Sequence, residues 1–220
     1  MFLKKFFGAL LVLTLLVLPQ KVSAVDRIDS SFDFRNLRAV IILDMNVDSR
    51  FNIGGTSGLN SLQNLLDKNS RRLGCTVYTQ QQALQLLGVS GLDYVQGRRY
   101  IMENAYQIAD AWIDAEITSW ETQSYVEAER TVWESRNRDE IYGYNQNLQK
   151  DEQRQVPVTY PPQRVDVSTI QVTFEVYDAR RNMKVFERED ALTRKNFQVH
   201  LNLFDEMSDS FFAEVAGLIH

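Results

Sequence analysis

Between Ile170 and Tyr177 the chain alternates at every step: Ile170, Val172, Phe174 and Val176 are apolar, while Gln171, Thr173, Glu175 and Tyr177 carry polar groups. Successive side chains of a strand point to opposite faces. This stretch therefore commits the chain to a sheet with one covered face, in a register that a one-residue slip would invert. Asp178-Ala179-Arg180-Arg181-Asn182 is turn chemistry, and Met183 to Arg188 then reads as the second strand of an antiparallel hairpin. The cover follows shortly. Phe204, Met207, Phe211, Val215 and Leu218 recur at i, i+3, i+7, i+11 and i+14, an amphipathic helix opened by Asn202 with Asp205 near its first turn. That helix is expected to pack across the sheet.

A different kind of strand comes earlier. Arg38-Ala39-Val40-Ile41-Ile42-Leu43 is apolar after its first residue, the pattern of a central strand covered on both faces. Beyond a loop from Asp44 to Gly58, Leu59, Leu62, Leu65, Leu66 and Leu73 keep helical spacing until Gly74 stops the helix, and Cys75 to Tyr78 completes a βαβ unit. Thr79 with Gln82 is a capping box opening a short helix that ends at Gly88. A further helix from about Arg98, with Ile101, Met102, Ala105, Ile108 and Ala109 on one face, gives way near Asp110 to a strand reaching Trp120. There Ile113, Ala115 and Ile117 alternate with Asp114, Glu116 and Thr118, so one face should be wet. The expected class is α/β in the mixed α+β sense: a mixed central sheet of about five strands with helices packed on it, the C-terminal amphipathic helix among them.

The first twenty-four residues read as an export signal. Lys4 and Lys5 form the positive region, and Val22-Ser23-Ala24 is a small-residue cleavage site before Val25. The apolar run from Phe6 to Leu18 is shorter than the ~20 residues of an ordinary membrane span. No cysteine lies at the cleavage point to accept a lipid. The expected organisation is a signal peptide over 1–24 and a single α/β domain over 25–220, with a polar, aromatic-rich insertion at about 121–163. The processed chain should be periplasmic or secreted, with no stable membrane span. Loss of Lys4, Lys5 and Lys21 takes the formal charge from −5 to −8, which argues against nucleic acid or anionic lipid as the principal partner. The basic pairs Arg71-Arg72, Arg98-Arg99 and Arg180-Arg181 read as solvated decoration. Cys75 is the only cysteine, so no internal disulfide forms, and it reads as a packed small hydrophobe at the start of a strand.

No stretch carries a catalytic signature. Gly54-Gly55-Thr56-Ser57-Gly58 lies where a helix N-terminus can cradle phosphate, but it lacks the Lys-Ser or Lys-Thr of a P-loop and the Gly-x-Gly-x-x-Gly spacing. It reads as a flexible connection with Ser57 capping the next helix. Asp44, directly after a strand, stands where α/β proteins often place a functional acid, yet no second acid or histidine follows at a defined offset. His200 and His220 are the only histidines, and no Gly-x-Ser-x-Gly elbow accompanies them. Metal-ligand spacing is absent, and no cofactor is expected.

From Glu121 to Gln163 the composition shifts to Glu, Arg, Gln, Asn and Tyr, closing on Pro157, Pro161 and Pro162. Two long strand extensions joined by a loop, or a helix from Asp139 to Lys150, are both compatible with it. Amphipathic aromatics gather in this segment, and such residues anchor interfaces because they bury much area at little entropic cost. The candidate binding residues are Trp120, Tyr125, Trp133, Tyr142, Tyr144 and Tyr160. The alternative for Trp120, as for Trp112, is a cap on the edge of the sheet core.

Phe32-Asp33-Phe34 leading into Arg38 to Leu43, Ala109-Asp110-Ala111-Trp112-Ile113 entering a strand, Val172 to Arg180 and Val185-Phe186-Glu187 together resemble the small α/β domains of bacterial envelope accessory proteins. Those include the curli-secretion lipoprotein type and the lipoprotein activators of penicillin-binding proteins. The resemblance implies a non-enzymatic envelope protein, and no binding residues carry over. The missing lipid-accepting cysteine departs from the lipoprotein pattern. The function expected is a protein-binding or assembly module acting on another envelope protein or on a second copy of itself. The alternatives are a hydrolase using dispersed carboxylates and a self-assembling ring or pore component.

Overall fold

The computed structural model describes residues 22–51, 53–137, 153–195 and 200–220. The alternating segment is strand β8 (Gln163–Asp178), and Ile170, Val172, Phe174 and Val176 are all buried on one face of it. It turns through Asn182, whose φ of 50° is a left-handed conformation that asparagine tolerates, into β9 (Met183–Lys195). β9 runs well beyond Arg188, where the sequence pattern fades, because backbone pairing with β8 continues to Val167 opposite Lys195.

On the other side of β8 lies β5 (Ala111–Glu127), antiparallel to it, and next to β5 lies β2 (Ala39–Ile42), parallel to it. β2 also pairs in parallel with the edge strand β4 (Thr76–Thr79), which is reached through α1 (Gly55–Ser70). The apolar run therefore sits one place in from the edge and is nonetheless covered on both faces. Val40 and Ile42 join the larger core, while Ile41 and Leu43 join a smaller core on the other side of the sheet. The first residues of β5 depart from the expected wet face for the same reason: Trp112 is buried in that second core, stacked on Tyr177 at 3.8 Å.

Among the described residues the sheet has seven strands, more than the five read from the sequence: β1 (Val22–Ile28), β9, β8, β5, β2 and β4 in that order, with the short β3 (Asn46–Val47) beside β5. The extra edge strand, β1, carries no strict apolar–polar alternation in the sequence. An edge strand is specified mainly by the backbone groups of its neighbour, here β9, and needs no apolar pattern of its own. Its pairing with β9 is continuous from Val25 to Ile28 and irregular between Val22 and Val25, so the uninterrupted ladder starts at the residue expected to follow the cleavage site.

Four helices are described. α4 (His200–Ile219) lays Leu203, Phe204, Met207, Phe211, Phe212 and Val215 onto the larger core beside α1, and begins two residues before Asn202. Asn69 of α1 ties the two helices together by donating to Asp205 Oδ1 (2.8 Å) and Ser208 Oγ (2.7 Å) of α4. α2 (Gln80–Leu86) carries the expected Thr79–Gln82 capping box. α3 (Tyr94–Asn104) starts four residues before Arg98, at a second box of the same kind made by Asp93 and Gln96, which the sequence reading passed over. The cap of α1 differs too: Gly54 holds that position at φ 88° and Ser57 lies inside the helix. Gly58 is required for another reason, since a Cβ there would stand 1.6 Å from the carbonyl oxygen of Ile53. Among the described residues no helix is long and apolar enough to cross a membrane.

Candidate functional site

The polar segment adopts the first of its two expected forms wherever it is described. β5 runs on to Glu127 opposite Gln163 of β8, and the chain continues as β6 (Arg130–Asn137) paired with β7 (Gln153–Tyr160). The same register holds on both sides of the Ala128-Glu129 and Pro161-Pro162 interruption, so β5–β6 and β7–β8 form one antiparallel ribbon. β9 stops pairing at Val167, and β6 and β7 pair only with each other. From Ser124 to Asn137 the ribbon is thus an arm beyond the sheet, about 45 Å long at ~3.3 Å per residue. The alternative helix over 139–150 lies outside the described residues.

Directly opposed residues of a ribbon share a face, which fixes what the arm displays. Trp133 stands opposite Pro157 on one face, and Val132 opposite Val158 on the other. Trp133 is 66% exposed and Val126 67%, large apolar groups that nothing among the described residues covers. Tyr125 is exposed, with the Lys195 ammonium 5.5 Å from its ring centre. Tyr160 is half-buried beneath Arg130, 5.5 Å from its ring, and its hydroxyl donates to Glu134. Thr131 and Thr159 share a hydroxyl hydrogen bond of 3.0 Å across the strands. These local contacts hold the ribbon together and leave Tyr125 and Trp133 exposed.

Trp120 does not belong to this display. A bulge between Ile117 and Ser119 changes which side chains reach the core, so Trp120 packs against the larger cluster and stacks on His200 at 4.4 Å. His200 Nε2 also lies 2.8 Å from the Glu121 carbonyl oxygen, so this histidine anchors the start of α4 to the base of the arm. Trp120 is the core-edge cap that was its alternative reading. Tyr142 and Tyr144 lie outside the described residues. The structure therefore brings Tyr125, Trp133 and Tyr160 onto one arm.

A second polar centre surrounds Asp44 at the C-terminal end of β2. Its backbone is pinned from three helices: Gln80 accepts from Asp44 N (3.2 Å), Gln63 from Met45 N (2.8 Å), and Tyr94 and Arg98 donate to the Asp44 carbonyl oxygen at 3.0 and 2.9 Å. Arg98 also pairs with Asp114 of β5. Burial, helped by the Asp67 charge and opposed by Arg98, pushes the Asp44 carboxyl above the usual carboxylate range. Burial likewise raises Asp67, against a hydrogen bond from Gln63. The sequence pointed to Asp44 alone. Asp67, Tyr94, Arg98 and Asp114 carry no common spacing and meet only through the packing of α1 and α3 on the sheet. Beside this centre a cleft of about 350 Å³ is lined by Met45, Phe51, Ile53, Leu59 and Tyr94 among others. Among the described residues no group of three acidic, histidine or cysteine side chains is placed to hold a metal.

Cys75 is half-buried against the larger core, and burial raises its thiol above the usual range, the state of a packed and unreactive group.

No protein-family model matches the sequence, and no curated protein matches it. Among solved structures the chain is similar to the PelC dodecamer from Paraburkholderia phytofirmans, at 11% identity and a TM-score of 0.43, over 90% of this chain and 96% of that one. It is also similar to lipoprotein GNA1162 from Neisseria meningitidis, at 12% identity and a TM-score of 0.41, over 82% of this chain and 99% of that one. Neither is, by its name, of the curli-secretion or penicillin-binding-protein activator type that the hairpin residues resemble.

Proposed function

We propose that this chain is an exported, non-enzymatic accessory module of the cell envelope that binds a protein partner through the arm β6–β7. The observation that carries the reading is the exposure of Trp133, Val126 and Val132 on a ribbon that no helix or neighbouring strand among the described residues covers. Exposed aromatic and apolar groups gain free energy only when a partner removes them from water. The export step rests on the residue order of the leader, and mass spectrometry of protein from its native cell is expected to find Val25 as the first residue. Intact Met1 on soluble cytoplasmic protein would refute it.

The arm is tested by replacing residues 124–166 with a short Gly/Ser turn. Nearly all of the core lies outside those positions, so the variant is expected to stay folded, with a cooperative thermal transition, while losing capture of its envelope partner. Trp133→Ala alone is expected to weaken capture by about 2 kcal/mol or more, the scale of an interface anchor. Undiminished capture by the folded arm-less variant removes the arm as the interface. A second reading, hydrolysis by carboxylates, is favoured by the half-buried Asp44 and Asp67 with their raised proton affinity. It predicts the opposite pattern, in which Asp44→Asn abolishes activity and arm replacement does not.

A further inference from the structure

At the N-terminal end of β2, the far end of β5 from the arm, three exposed arginines line two adjoining clefts. Many of the described arginines sit in ion pairs, among them Arg27, Arg72, Arg98, Arg181 and Arg188. Arg35, Arg38 and Arg180 do not. Arg38 and Arg180 line a cleft of about 420 Å³ together with Asp33, Asp110 and Asp178. An adjoining cleft shares Arg38 and adds Arg35 and His220.

Each nearby carboxylate binds the main chain of an arginine and leaves its guanidinium free. Asp33 Oδ1 accepts from Arg35 N (3.2 Å), Asp110 Oδ2 from Arg38 N (2.8 Å) and Asp178 Oδ1 from Arg180 N (2.8 Å). The second oxygens of Asp33 and Asp178 are occupied by Asn36 Nδ2 (2.7 Å) and Arg181 Nε (2.5 Å). The acids thus fix the backbone that presents the Arg38 and Arg180 forks to this cleft and the Arg35 fork to the adjoining one, and the forks have no acceptor of their own among the described residues.

We propose that this cleft binds a phosphate-type oxyanion, the phosphoryl group of a small ligand or of a lipid head group. A carboxylate offers two oxygens and is satisfied by one guanidinium fork, whereas a phosphoryl group offers three to several forks at once.

The test titrates isotope-labelled protein with inorganic phosphate and with glycerol phosphate, against sodium chloride of equal ionic strength, reading backbone amides by NMR. Saturable shifts centred on residues 35–39 and 178–181, given by both phosphates and not by chloride, are expected. Arg38→Gln combined with Arg180→Gln should weaken the affinity about tenfold or more, as loss of bidentate charge-assisted bonds does, and Arg27→Gln should leave it unchanged. Arg180→Gln alone, at an exposed turn, is the second variant should the double one unfold. Co-sedimentation with phosphatidic acid vesicles, lost in the same variants, assigns the group to a lipid phosphomonoester, and binding of glycerol phosphate without sedimentation assigns it to a soluble ligand. Arm replacement should leave the shifts intact, which separates this site from the proposed interface. Shifts that chloride reproduces, or an affinity unchanged in both variants, overturn the proposal.

Discussion

Phe174→Ala is expected to lower the free energy of unfolding by about 3–5 kcal/mol, the cost of a large cavity in a well-packed core. Phe174 is fully buried and stacked on Phe211 of α4 at 4.6 Å, so its removal empties the contact between the central strand and the helix that covers it. Thr173, its neighbour on the opposite face, is only partly buried, and Thr173→Ala should change stability by about 0.5 kcal/mol or less. Urea titrations of the two variants decide the matter. Equal losses would mean that the two faces of β8 have been assigned wrongly.

The second large effect concerns a charge under α4. Arg188 of β9 is buried, with Glu214 Oε2 at 2.6 Å from Nη1, Ser210 Oγ at 3.0 Å from Nη2 and Asp190 Oδ1 at 3.2 Å from Nη2. Its Nε also lies 2.9 Å from Asp190 Oδ2, as an ion pair that is not aligned as a hydrogen bond. Arg188→Ala removes the buried guanidinium that lies between Asp190 and Glu214 and should cost about 3–5 kcal/mol, comparable to the loss of Phe174. The pair itself contributes much less than that. Arg188→Met together with Asp190→Leu removes both charges and keeps the volume, and it should come within about 1 kcal/mol of the parent in thermal unfolding. A double variant as unstable as Arg188→Ala would show that the ion pair stabilises the fold in its own right.

Much of this architecture was legible in the residues because local physics sets it. The period-two pattern at 170–177 fixed a strand and its inward face, the heptad-like spacing from Phe204 onward fixed a covering helix, and Thr79 with Gln82 fixed a helix start. Each of these signals is contained within a turn or two of chain, where side-chain direction follows directly from backbone geometry. The exposed aromatic arm was visible as a change in composition, since a ribbon without a core needs no aliphatic residues. Its form stayed open between strands and helix because neither leaves a strong period in such a segment.

What the residues could not show depends on neighbours distant in sequence. β1 exists because β9 offers it a free edge, and Trp112 is buried because α3 closes over that side of β5. The bulge at 117–119 turned Trp120 from a display residue into a core cap stacked on His200. The same holds for the polar centres. Asp44 acquires Asp67, Tyr94, Arg98 and Asp114 only through helix packing, and Arg38 and Arg180 share a cleft only because β2 and the β8–β9 turn end at the same side of the sheet. The sequence by itself determined the strongly periodic strands, the helices and their apolar faces, since those follow from short-range periodicity. The tertiary structure alone decided which charged and aromatic groups meet, because pairing register and layer order bring together residues whose spacing along the chain carries no signal.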